Sequence, residues 1–497
     1  MPDRLHPHPP RRWSRRDTLK LSGSSLVAAA TAPVVVGTTA SAAPPPPPAG
    51  AASPGRGAAR NVILLIADGM SPSLLSIAQP FAERVRDQTQ PLHWIAASRR
   101  PDAAAGLYDC GSANALVTDS AAAASAWSCG TRVDNGRLNV TPDGRALTPI
   151  AEPVQATGRR VGLVTTTRLT HATPAAFAAV HRNRNAEDDI ATQFPGRADV
   201  LLGGGLRHFT PNGRDDGEDL VARYRDAGYA YWSHRDAVMR LSDADRVLGL
   251  FSPSHLPYTI DHRGDDALSR RVPTLEDMTR AALRLLARDD RGFLLQVEGG
   301  RVDHACHAND AAAALWDLLA FDDALGAALE FADGRRDTLV IVTTDHGNAT
   351  PALNGMGPAY RETDGCFDRL ARANRSFDWL QHQDAAGVDD PSVLADAVAR
   401  HLGVRLSDGE ARRVARAWRE QPGLDDELNA QHRSRHALLA QALGNHTGVQ
   451  FTGVSHTADW APLHAVGPGA AAFAGHQLNT DLHRHMAAAM SLASVPS

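Results

Sequence analysis

Uninterrupted apolar runs alternate along the chain with stretches of helical period. The runs lie at residues 61–67, 160–166, 198–202, 292–297 and 338–344. Strands that are buried on both faces carry continuous apolar side chains, which is typical of a parallel sheet. Helical stretches between such strands, such as 274–288 with a predicted cap formed by Thr274 and Asp277, place helices on both faces of the sheet. The pattern therefore predicts an α/β fold, a three-layer α/β/α sandwich with a mostly parallel central sheet, whose main part spans residues 60–353.

The segment 354–443 differs from the rest, because it is charged, helical in period and without strong strand patterns. Asp390-Pro391 and the pair Ser407 and Glu410 predict helix starts, and Gly403 predicts a helix end. We therefore expect a helical insertion or cap, after which the core resumes at residues 444–497. The sequence leaves open whether this insertion shapes a pocket, mediates a homodimer or covers a sheet edge.

The N-terminal segment 1–42 has the three parts of an export signal. Residues 14–20 contain paired arginines, residues 26–36 are apolar, and Ala40-Ser41-Ala42 is a small-residue cleavage site. This order predicts a twin-arginine signal, cleaved near Ala42, and export to the periplasm or the cell exterior by the twin-arginine machinery. The apolar part is too short and too broken by Gly and Pro to remain as a membrane span. A Pro/Gly/Ala-rich spacer, residues 43–59, follows it.

Charge and cysteine content narrow the classes of protein. Loss of residues 1–42 removes six basic and two acidic residues, so the net charge moves from −5 to about −9. A chain this acidic, with no basic stripe, does not predict a nucleic-acid-binding surface. None of the four cysteines forms a CxxC pair, so a thiolate zinc site is not indicated. Whether Cys110 and Cys129 pair in an oxidising compartment stays open.

Three of the predicted strands end in carboxylates and imidazoles. In an open α/β sheet, ligands bind outside the carboxyl ends of the strands, so these side chains are expected to converge. One helical turn separates an aspartate from a histidine after the strand 292–297, which places both on one helix face. Mixed Asp and His ligands favour zinc, and all-oxygen sets favour magnesium, so both kinds of site are expected. The side chains are Asp68, Glu298, Asp303, His307, Asp345 and His346.

A serine at a predicted helix start is the candidate nucleophile. Asp119 has the position of an N-cap, and the alanine run that follows Ser120 favours a helix. The free amides and positive end of such a helix favour an anion, either a phosphate or a serine alkoxide. Taken alone, this pattern is more often that of a serine that only caps. The nucleophile interpretation therefore depends on the residues around it.

Five motifs together resemble the motif series of the alkaline phosphatases. They occur in the order of that family and roughly at its separations, and the resemblance covers about residues 60–353 and 444–490. The insertion 354–443 falls where the family varies. The motifs are Ala67-Asp68-Gly69, Thr118-Asp119-Ser120-Ala121, His171-Ala172-Thr173, Glu298 to His304 and Thr344-Asp345-His346-Gly347.

The resemblance implies an enzyme that hydrolyses small phosphate monoesters through a phosphoserine at Ser120. It implies two zinc ions and one magnesium ion, and activity that rises toward alkaline pH. Asp119, Ser120 and Arg184 are the implied catalytic residues, with Arg184 clamping the phosphate. The implied ligands are Asp303, His307 and His456 for one zinc ion, Asp68, Asp345 and His346 for the other, and Asp68, Thr173 and Glu298 for magnesium, which His171 contacts through water.

Two of these assignments have a competitor nearby in the chain. Arg182 competes with Arg184, and the asparagines on both sides of Arg184 favour the latter. His446 has a local sequence similar to that of His456, and the spacing to Gly467-Pro468 favours His456. His304 stands where the enteric bacterial pattern has lysine, and here the chain resembles the animal enzymes.

Other activities of the same superfamily were weighed against these motifs. A sulfatase needs Pro and Arg shortly after the nucleophile, whereas four alanines follow Ser120. Cofactor-independent phosphoglycerate mutases share the Asp-His-Gly-Asn sequence of residues 345–348, but they are cytosolic. A phosphodiesterase remains an alternative, because pocket width decides between monoesters and diesters. A non-catalytic phosphate- or metal-binding protein has less support, because Ser120 and Arg184 are both present.

Overall fold

The structure is a computed structural model that describes residues 59–241, 243–383, 390–420, 430–432 and 434–493. The predicted signal, residues 1–42, lies outside the described residues, as does all but the last residue of the predicted spacer. Among the described residues, none of the helices is both long and apolar enough to cross a membrane.

The strands confirm the five apolar runs as strands. Each predicted run overlaps an observed strand, and β2, β5, β6, β13 and β14 extend the sheet beyond them. The strands are β1 Asn61–Ile66, β2 Ala103–Asp109, β3 Arg160–Arg168, β4 Val200–Gly204, β5 Tyr229–Trp232, β6 Arg246–Leu250, β7 Phe293–Glu298, β8 Thr338–Thr343, β9 Gly347–Asn348, β10 Ala352–Leu353, β11 Val449–Gln450, β12 His456–Thr457, β13 Ala461–Val466 and β14 Gly475–Leu478.

Helices connect the strands and include several that begin at predicted caps. Thr274 and Asp277 form a capping box at the start of α11, and Ser407 and Glu410 form another at α17. The α-helices are α1 Pro72–Arg86, α2 His93–Ser98, α3 Ser120–Cys129, α4 Ala151–Ala156, α5 Ala172–Ala178, α6 Glu187–Ala191, α7 Leu220–Asp226, α8 Arg235–Arg240, α9 Thr259–Arg263, α10 Asp266–Arg271, α11 Leu275–Leu286, α12 Arg301–His307, α13 Ala311–Ala332, α14 Thr363–Leu370, α15 Phe377–Gln383, α16 Pro391–His401, α17 Asp408–Arg419, α18 Arg435–Thr447 and α19 Asn479–Ala489.

The large sheet is mostly parallel, as the apolar runs predict. Its strand order is β14-β2-β13-β8-β1-β7-β3-β4-β6-β5, and β13 alone runs antiparallel to its neighbours. The carboxyl ends of β1, β3, β7 and β8 therefore meet at one edge near the middle of the sheet.

Two apolar cores lie on opposite faces of this sheet. In β1, Ile63 and Leu65 belong to one core, and Val62 and Leu64 belong to the other. Successive strand side chains point to opposite faces, so a strand between two helical layers has apolar side chains at consecutive positions. The fold is therefore the expected α/β/α sandwich.

The helices α15–α18 pack around a third, separate apolar cluster that includes Leu394 and Leu439, whereas α14 packs into one of the two cores of the sandwich. Two buried carboxylates of the main core hold the start of α15. Asp310 Oδ2 accepts from the Phe377 amide at 2.7 Å, and Asp261 Oδ1 accepts from the Ser376 amide at 2.9 Å. The helical segment thus has its own small core and a polar attachment to the sandwich.

Candidate active site

The structure brings the strand-end side chains together at the carboxyl edge of the sheet. Asp68 follows β1, Glu298 ends β7, and Asp345 follows β8. All three side chains are fully buried, with 0% exposure. Gly69 allows this convergence, because its φ of +70° suits glycine and a Cβ there would lie 2.5 Å from Asp303 Oδ1.

Ser120 is the first residue of α3 and is buried beside these strand ends. Asp119 caps the helix, since its Oδ1 accepts from the Ala122 amide at 2.9 Å. The Ser120 hydroxyl lies 3.3 Å from Nε2 of His346. The predicted nucleophile therefore faces a predicted metal ligand at the positive end of a helix.

Arg184 contacts Asp119, the residue that precedes Ser120. Its Nη1 donates to Asp119 Oδ2 at 2.9 Å, and its Nη2 donates to Nε2 of His171 at 3.2 Å. Arg182 is placed differently, since its Nη2 donates to the carbonyl of Gly144 at 3.3 Å. Of the two arginines, the structure puts Arg184 beside Ser120.

One group of ligand atoms surrounds the side chain of Asp303. His307 Nε2 lies 3.5 Å from Oδ2, His456 Nε2 lies 3.6 Å from Oδ1, and the two imidazole nitrogens are 3.0 Å apart. The rings of His456 and His346 stack with centroids 3.7 Å apart, so His346 also borders this group. Asn348 Nδ2 donates to Asp303 Oδ1 at 2.7 Å and fixes that carboxylate.

A second group lies on the other side of His346. Its Nε2 is 3.1 Å from Asp345 Oδ2 and 3.8 Å from Asp68 Oδ1. The other oxygen of Asp345 accepts from the amides of Gly69 and His346, each at 3.0 Å. One oxygen of Asp345 is thus held by the backbone, and the other faces Asp68 and His346.

A third group combines Asp68, His171 and Glu298, whose ligand atoms lie within 4.8 Å of one another. Thr173 Oγ1 donates to Asp68 Oδ2 at 3.4 Å. Glu298 Oε2 accepts from Thr165 and, at 3.2 Å, from Thr167. Asp68 therefore stands between the second and third groups.

Backbone carbonyls orient the three histidines. The Nδ1 atoms of His307, His346 and His456 lie 2.7, 3.2 and 2.8 Å from the carbonyls of Val454, Gly347 and Thr118. A carbonyl only accepts, so each Nδ1 carries the proton and each Nε2 keeps its lone pair. All three lone pairs are free to bind a cation.

Burial and nearby charges shift the pKa values of several side chains at the site. Burial, followed by the charges of Asp345, Asp303 and Glu298, raises the pKa of Asp68 well above its usual range. Burial raises the pKa of Glu298 to about 7, although hydrogen bonds from Thr165 and Thr167 oppose it. Burial, followed by the positive charges of Arg184 and His304, lowers the pKa of His171 far below its usual value. Bound cations would therefore stabilise the ionised carboxylates of Asp68 and Glu298, and the imidazole of His171 stays neutral.

The donor atoms fit metal ions in this structure. Asp68 Oδ1, Asp345 Oδ2 and Glu298 Oε1 are buried and have no hydrogen-bond partner among the described residues. Ligands about 2.0–2.2 Å from a tetrahedral zinc ion lie about 3.3–3.6 Å from one another. The separations around Asp303 and His346 are close to this range, and the Asp68 and Glu298 oxygens with the Thr173 hydroxyl suit magnesium.

The competing histidine lies away from the site. His446 is in α18, where its Nε2 is 3.1 Å from Glu410 Oε2. His456 is in β12, which pairs with β9 and so lies beside the end of β8. The geometry therefore favours His456. The thiols of Cys110 and Cys129 are both free and not joined in a disulfide.

Sequence reasoning gave no role to several side chains at this edge. His255 lies in the loop after β6, with its ring centroid 4.3 Å from that of His304 and 5.6 Å from that of His171. Arg301 donates to His304 Nδ1 at 3.0 Å and stacks on the Tyr258 ring. The contacts of His255 with His304 and of Arg301 with Tyr258 join distant parts of the chain, so no local motif could have indicated them.

The sheet edge and its side chains define a class of protein, the metal-dependent hydrolases built on an α/β/α sandwich. The family model described as alkaline phosphatase matches residues 59–492. The chain therefore belongs to the alkaline phosphatase family, and it is an enzyme, a phosphoric monoester hydrolase.

Known proteins support this assignment over most of the chain. Alkaline phosphatase 3 of Bacillus subtilis is 30% identical over 448 residues, which are 86% of this chain and 88% of that protein. The crystal structure of Thermus thermophilus alkaline phosphatase matches with a TM-score of 0.82 and 37% identity, covering 89% of this chain and 93% of the other. Streptomycin-6-phosphate phosphatase of Streptomyces griseus is 34% identical over 345 residues, which are 60% of this chain and 76% of that protein.

Proposed function

We propose that this chain is an exported alkaline phosphatase that hydrolyses phosphate monoesters through a phosphoserine at Ser120, with two zinc ions and one magnesium ion. One observation carries the proposal. The Ser120 hydroxyl lies at the start of α3 and 3.3 Å from a histidine nitrogen, beside buried carboxylate oxygens that have no other partner among the described residues.

The ligand sets follow the three groups of side chains. Asp303, His307 and His456 would hold one zinc ion, and Asp68, Asp345 and His346 would hold the other. Asp68, Thr173 and Glu298 would hold magnesium. When bound, such ions lower the pKa of the serine hydroxyl and of water and offset the negative charge on the attacking and leaving oxygens.

Ser120 would attack phosphorus in line with the leaving alcohol. Its oxygen forms the new P–O bond as the alcohol oxygen takes the electrons of the old one, and water later releases phosphate from Ser120. The amides at the start of α3 and the guanidinium of Arg184 would bind non-bridging oxygens of the phosphate. Asp119 would hold Arg184 in place through the 2.9 Å contact.

His171 would contact magnesium through water. Arginine only donates hydrogen bonds, so the contact from Arg184 makes Nε2 of His171 the acceptor and leaves the proton on Nδ1. A protonated Nδ1 donates to a water molecule and cannot ligate an ion directly. This supports the water-mediated contact. It also means that Arg184, the proposed phosphate clamp, is held by a hydrogen bond to His171.

The domain organisation and export remain part of the proposal. Residues 60–353 and 444–497 would form the catalytic core, and the separate apolar cluster supports an accessory role for 354–443. Export would use the arginines of the N-terminal segment. Changing Arg15 and Arg16 to lysine should retain the precursor in the cytoplasm, and an unchanged exported fraction would contradict the twin-arginine assignment.

Hydrolysis of p-nitrophenyl phosphate by the metal-loaded chain tests the activity. Ser120→Ala should abolish turnover and incorporation of phosphate into the protein. Ser125→Ala is the matched control, because Ser125 is a buried serine of the same helix whose hydroxyl accepts from the Asn139 amide at 2.9 Å. Undiminished turnover in Ser120→Ala would contradict the covalent mechanism, and faster hydrolysis of bis-p-nitrophenyl phosphate would indicate a diesterase.

A further inference from the structure

We propose that Thr165 and Thr167 are positioning residues that hold Glu298 so that one carboxylate oxygen faces the magnesium site. This inference rests on the proposed function, because it takes Glu298 as a magnesium ligand. Neither threonine belongs to the motifs that indicated the site. Both lie on β3, which is the strand next to β7 in the sheet.

Strand geometry places the hydroxyls of Thr165 and Thr167 on the same face of the sheet as the side chain of Glu298. Thr165 is the register partner of Glu298 in the parallel pair of β3 and β7. Side chains two residues apart on a strand point to the same face, so Thr167 follows Thr165 toward Glu298. Thr166 points to the other face, where its Oγ1 accepts from the Arg301 amide at 3.1 Å.

The hydrogen bonds around Glu298 are one-sided. The Thr165 hydroxyl donates to Oε2, and the Thr167 hydroxyl lies 3.2 Å from the same oxygen. Oε1 is buried without a partner among the residues described. One oxygen is thus satisfied by the protein, and the other is left for an ion. An unpaired carboxylate oxygen at full burial is unfavourable unless a cation or a hydrogen-bond donor meets it.

The direction of the hydrogen bonds makes Thr165 the main contact. The Thr167 amide donates to Thr165 Oγ1 at 2.8 Å. This bond occupies a lone pair of the Thr165 hydroxyl, whose single proton is directed at Glu298 Oε2 because that oxygen is its nearest acceptor. The Thr167 hydroxyl has two competing acceptors, the Arg168 carbonyl at 3.0 Å and Thr165 Oγ1 at 2.8 Å, so its contribution is smaller.

Close packing keeps the carboxylate in this place. A Cβ added to Gly300 would lie 2.3 Å from Thr167 Cγ2 and 2.8 Å from Glu298 Oε1. The side chains of Thr165, Thr167 and Glu298 are all fully buried. The Thr167 methyl group fills the space beside Gly300, the Thr165 methyl group lies against Gly203, and the two hydroxyl groups set the direction of Glu298.

Magnesium affinity of the metal-loaded enzyme tests this inference directly. Thr165→Val keeps the side-chain shape and removes the hydroxyl, and it should weaken Mg²⁺ binding about 10- to 100-fold, as loss of a hydrogen bond to a ligand does at other metal sites. Calorimetric titration of the full chain with Mg²⁺ measures the affinity. Metal analysis should still find both zinc equivalents. Thr165→Ser should restore Mg²⁺ binding, and Thr167→Val should weaken it less than Thr165→Val.

Thr279→Val is the matched control. Thr279 is fully buried in α11, and its hydroxyl donates to the Leu275 carbonyl at 2.8 Å, away from the sheet edge. It should lower stability without changing Mg²⁺ affinity. Mg²⁺ affinity of Thr165→Val within twofold of the wild-type value, or an equal loss in Thr279→Val, would overturn the inference. If Thr165→Val does not fold, a Mg²⁺ affinity of Thr167→Val equal to that of the wild type would overturn the inference.

The wild-type titration separates the two levels of proposal. A wild-type chain that binds both zinc equivalents but no Mg²⁺ would contradict the proposed metal content before any variant is compared. A wild-type chain that binds Mg²⁺ while the threonine variants bind it equally well would contradict only the positioning roles.

Discussion

Arg184 and Asp119 form an ion pair of 2.9 Å at the start of the helix that carries Ser120. The same carboxylate accepts from the amides of Ala122 and Gly136, each at 2.9 Å. One side chain thus starts the helix, fixes the adjoining loop and holds the guanidinium. Loss of this carboxylate should affect phosphate binding and stability together.

Asp119→Ala should weaken inhibition by inorganic phosphate roughly tenfold, because a hydrogen bond to a charged group contributes about 1.5 kcal/mol or more. It should also lower the free energy of unfolding by about 1 kcal/mol through loss of the N-cap. Phosphate inhibition constants and urea unfolding measure the two effects. Unchanged inhibition in a destabilised variant would show that Asp119 acts only as a cap.

Arg184→Lys should reduce kcat/KM for p-nitrophenyl phosphate about 100-fold. Lysine keeps the charge but cannot reproduce the two parallel hydrogen bonds that a guanidinium gives to a phosphate. Arg182→Lys is the matched control, since Arg182 bonds the Gly144 carbonyl and should leave kcat/KM unchanged. Equal losses in the two variants would contradict the assignment of Arg184.

His456→Ala should remove about one zinc equivalent per chain and most of the activity. Its Nε2 is 3.6 Å from Asp303 Oδ1 and 3.0 Å from His307 Nε2. His446→Ala should keep both zinc equivalents, because His446 pairs with Glu410. Zinc content after dialysis measures the effect. Full zinc content in His456→Ala would exclude it as a ligand.

Metal removal should destabilise the protein more at pH 8 than at pH 5. In the ion-free folded state the pKa of Glu298 is about 7, above its unfolded value of 4.5. A folded carboxyl with a raised pKa favours folding below the unfolded pKa, and this contribution is lost as pH rises through the folded pKa. The loss for Glu298 is about 3 kcal/mol between pH 4.5 and 7.

Bound cations remove this loss, because they offset the charge of the ionised carboxylate. The difference in Tm with and without chelator should therefore widen between pH 5 and pH 8 and then level off. Differential scanning calorimetry in matched buffers measures it. A Tm difference that is constant across this pH range would contradict the raised pKa.

Local patterns were enough to predict the five strands in the middle of the central sheet. The runs at residues 61–67 and 338–344 contain consecutive apolar positions, 62–67 and 339–342, because both faces are covered by helices, and each is a strand in the structure. The caps at Thr274 and Ser407 were predictable for a similar reason, since a side chain bonding an amide three residues on leaves a short motif.

The strands at the edge of the sheet left no such pattern. β2 contains Ala103 to Gly106, with small side chains and partly exposed positions, and β14 is short and mostly exposed. β13 lies between β2 and β8, although about 120 residues separate it from β8 along the chain. Pairing over such distances depends on the whole fold and not on a local period.

The residues of the candidate site also fall into those that the sequence could predict and those that it could not. Asp68, Asp345 and His346 follow strands directly, so their convergence could be predicted from the parallel sheet. The contacts of Thr165 with Glu298 and of Asn348 with Asp303 run between different elements. Threonine and asparagine occur in the strands of any protein, so only the three-dimensional structure identifies Thr165 and Asn348 as partners of the site carboxylates.

The antiparallel position of β13 has a consequence for the synthesis of this protein. β2 and β8 reach each other only through Ala461–Val466, and the Thr118 carbonyl before the nucleophile bonds His456. Both segments lie more than 330 residues after Ser120 in the sequence. The loop before Ser120 therefore gains its final support only after these later residues have been translated, and a nascent chain that lacks them cannot assemble the site.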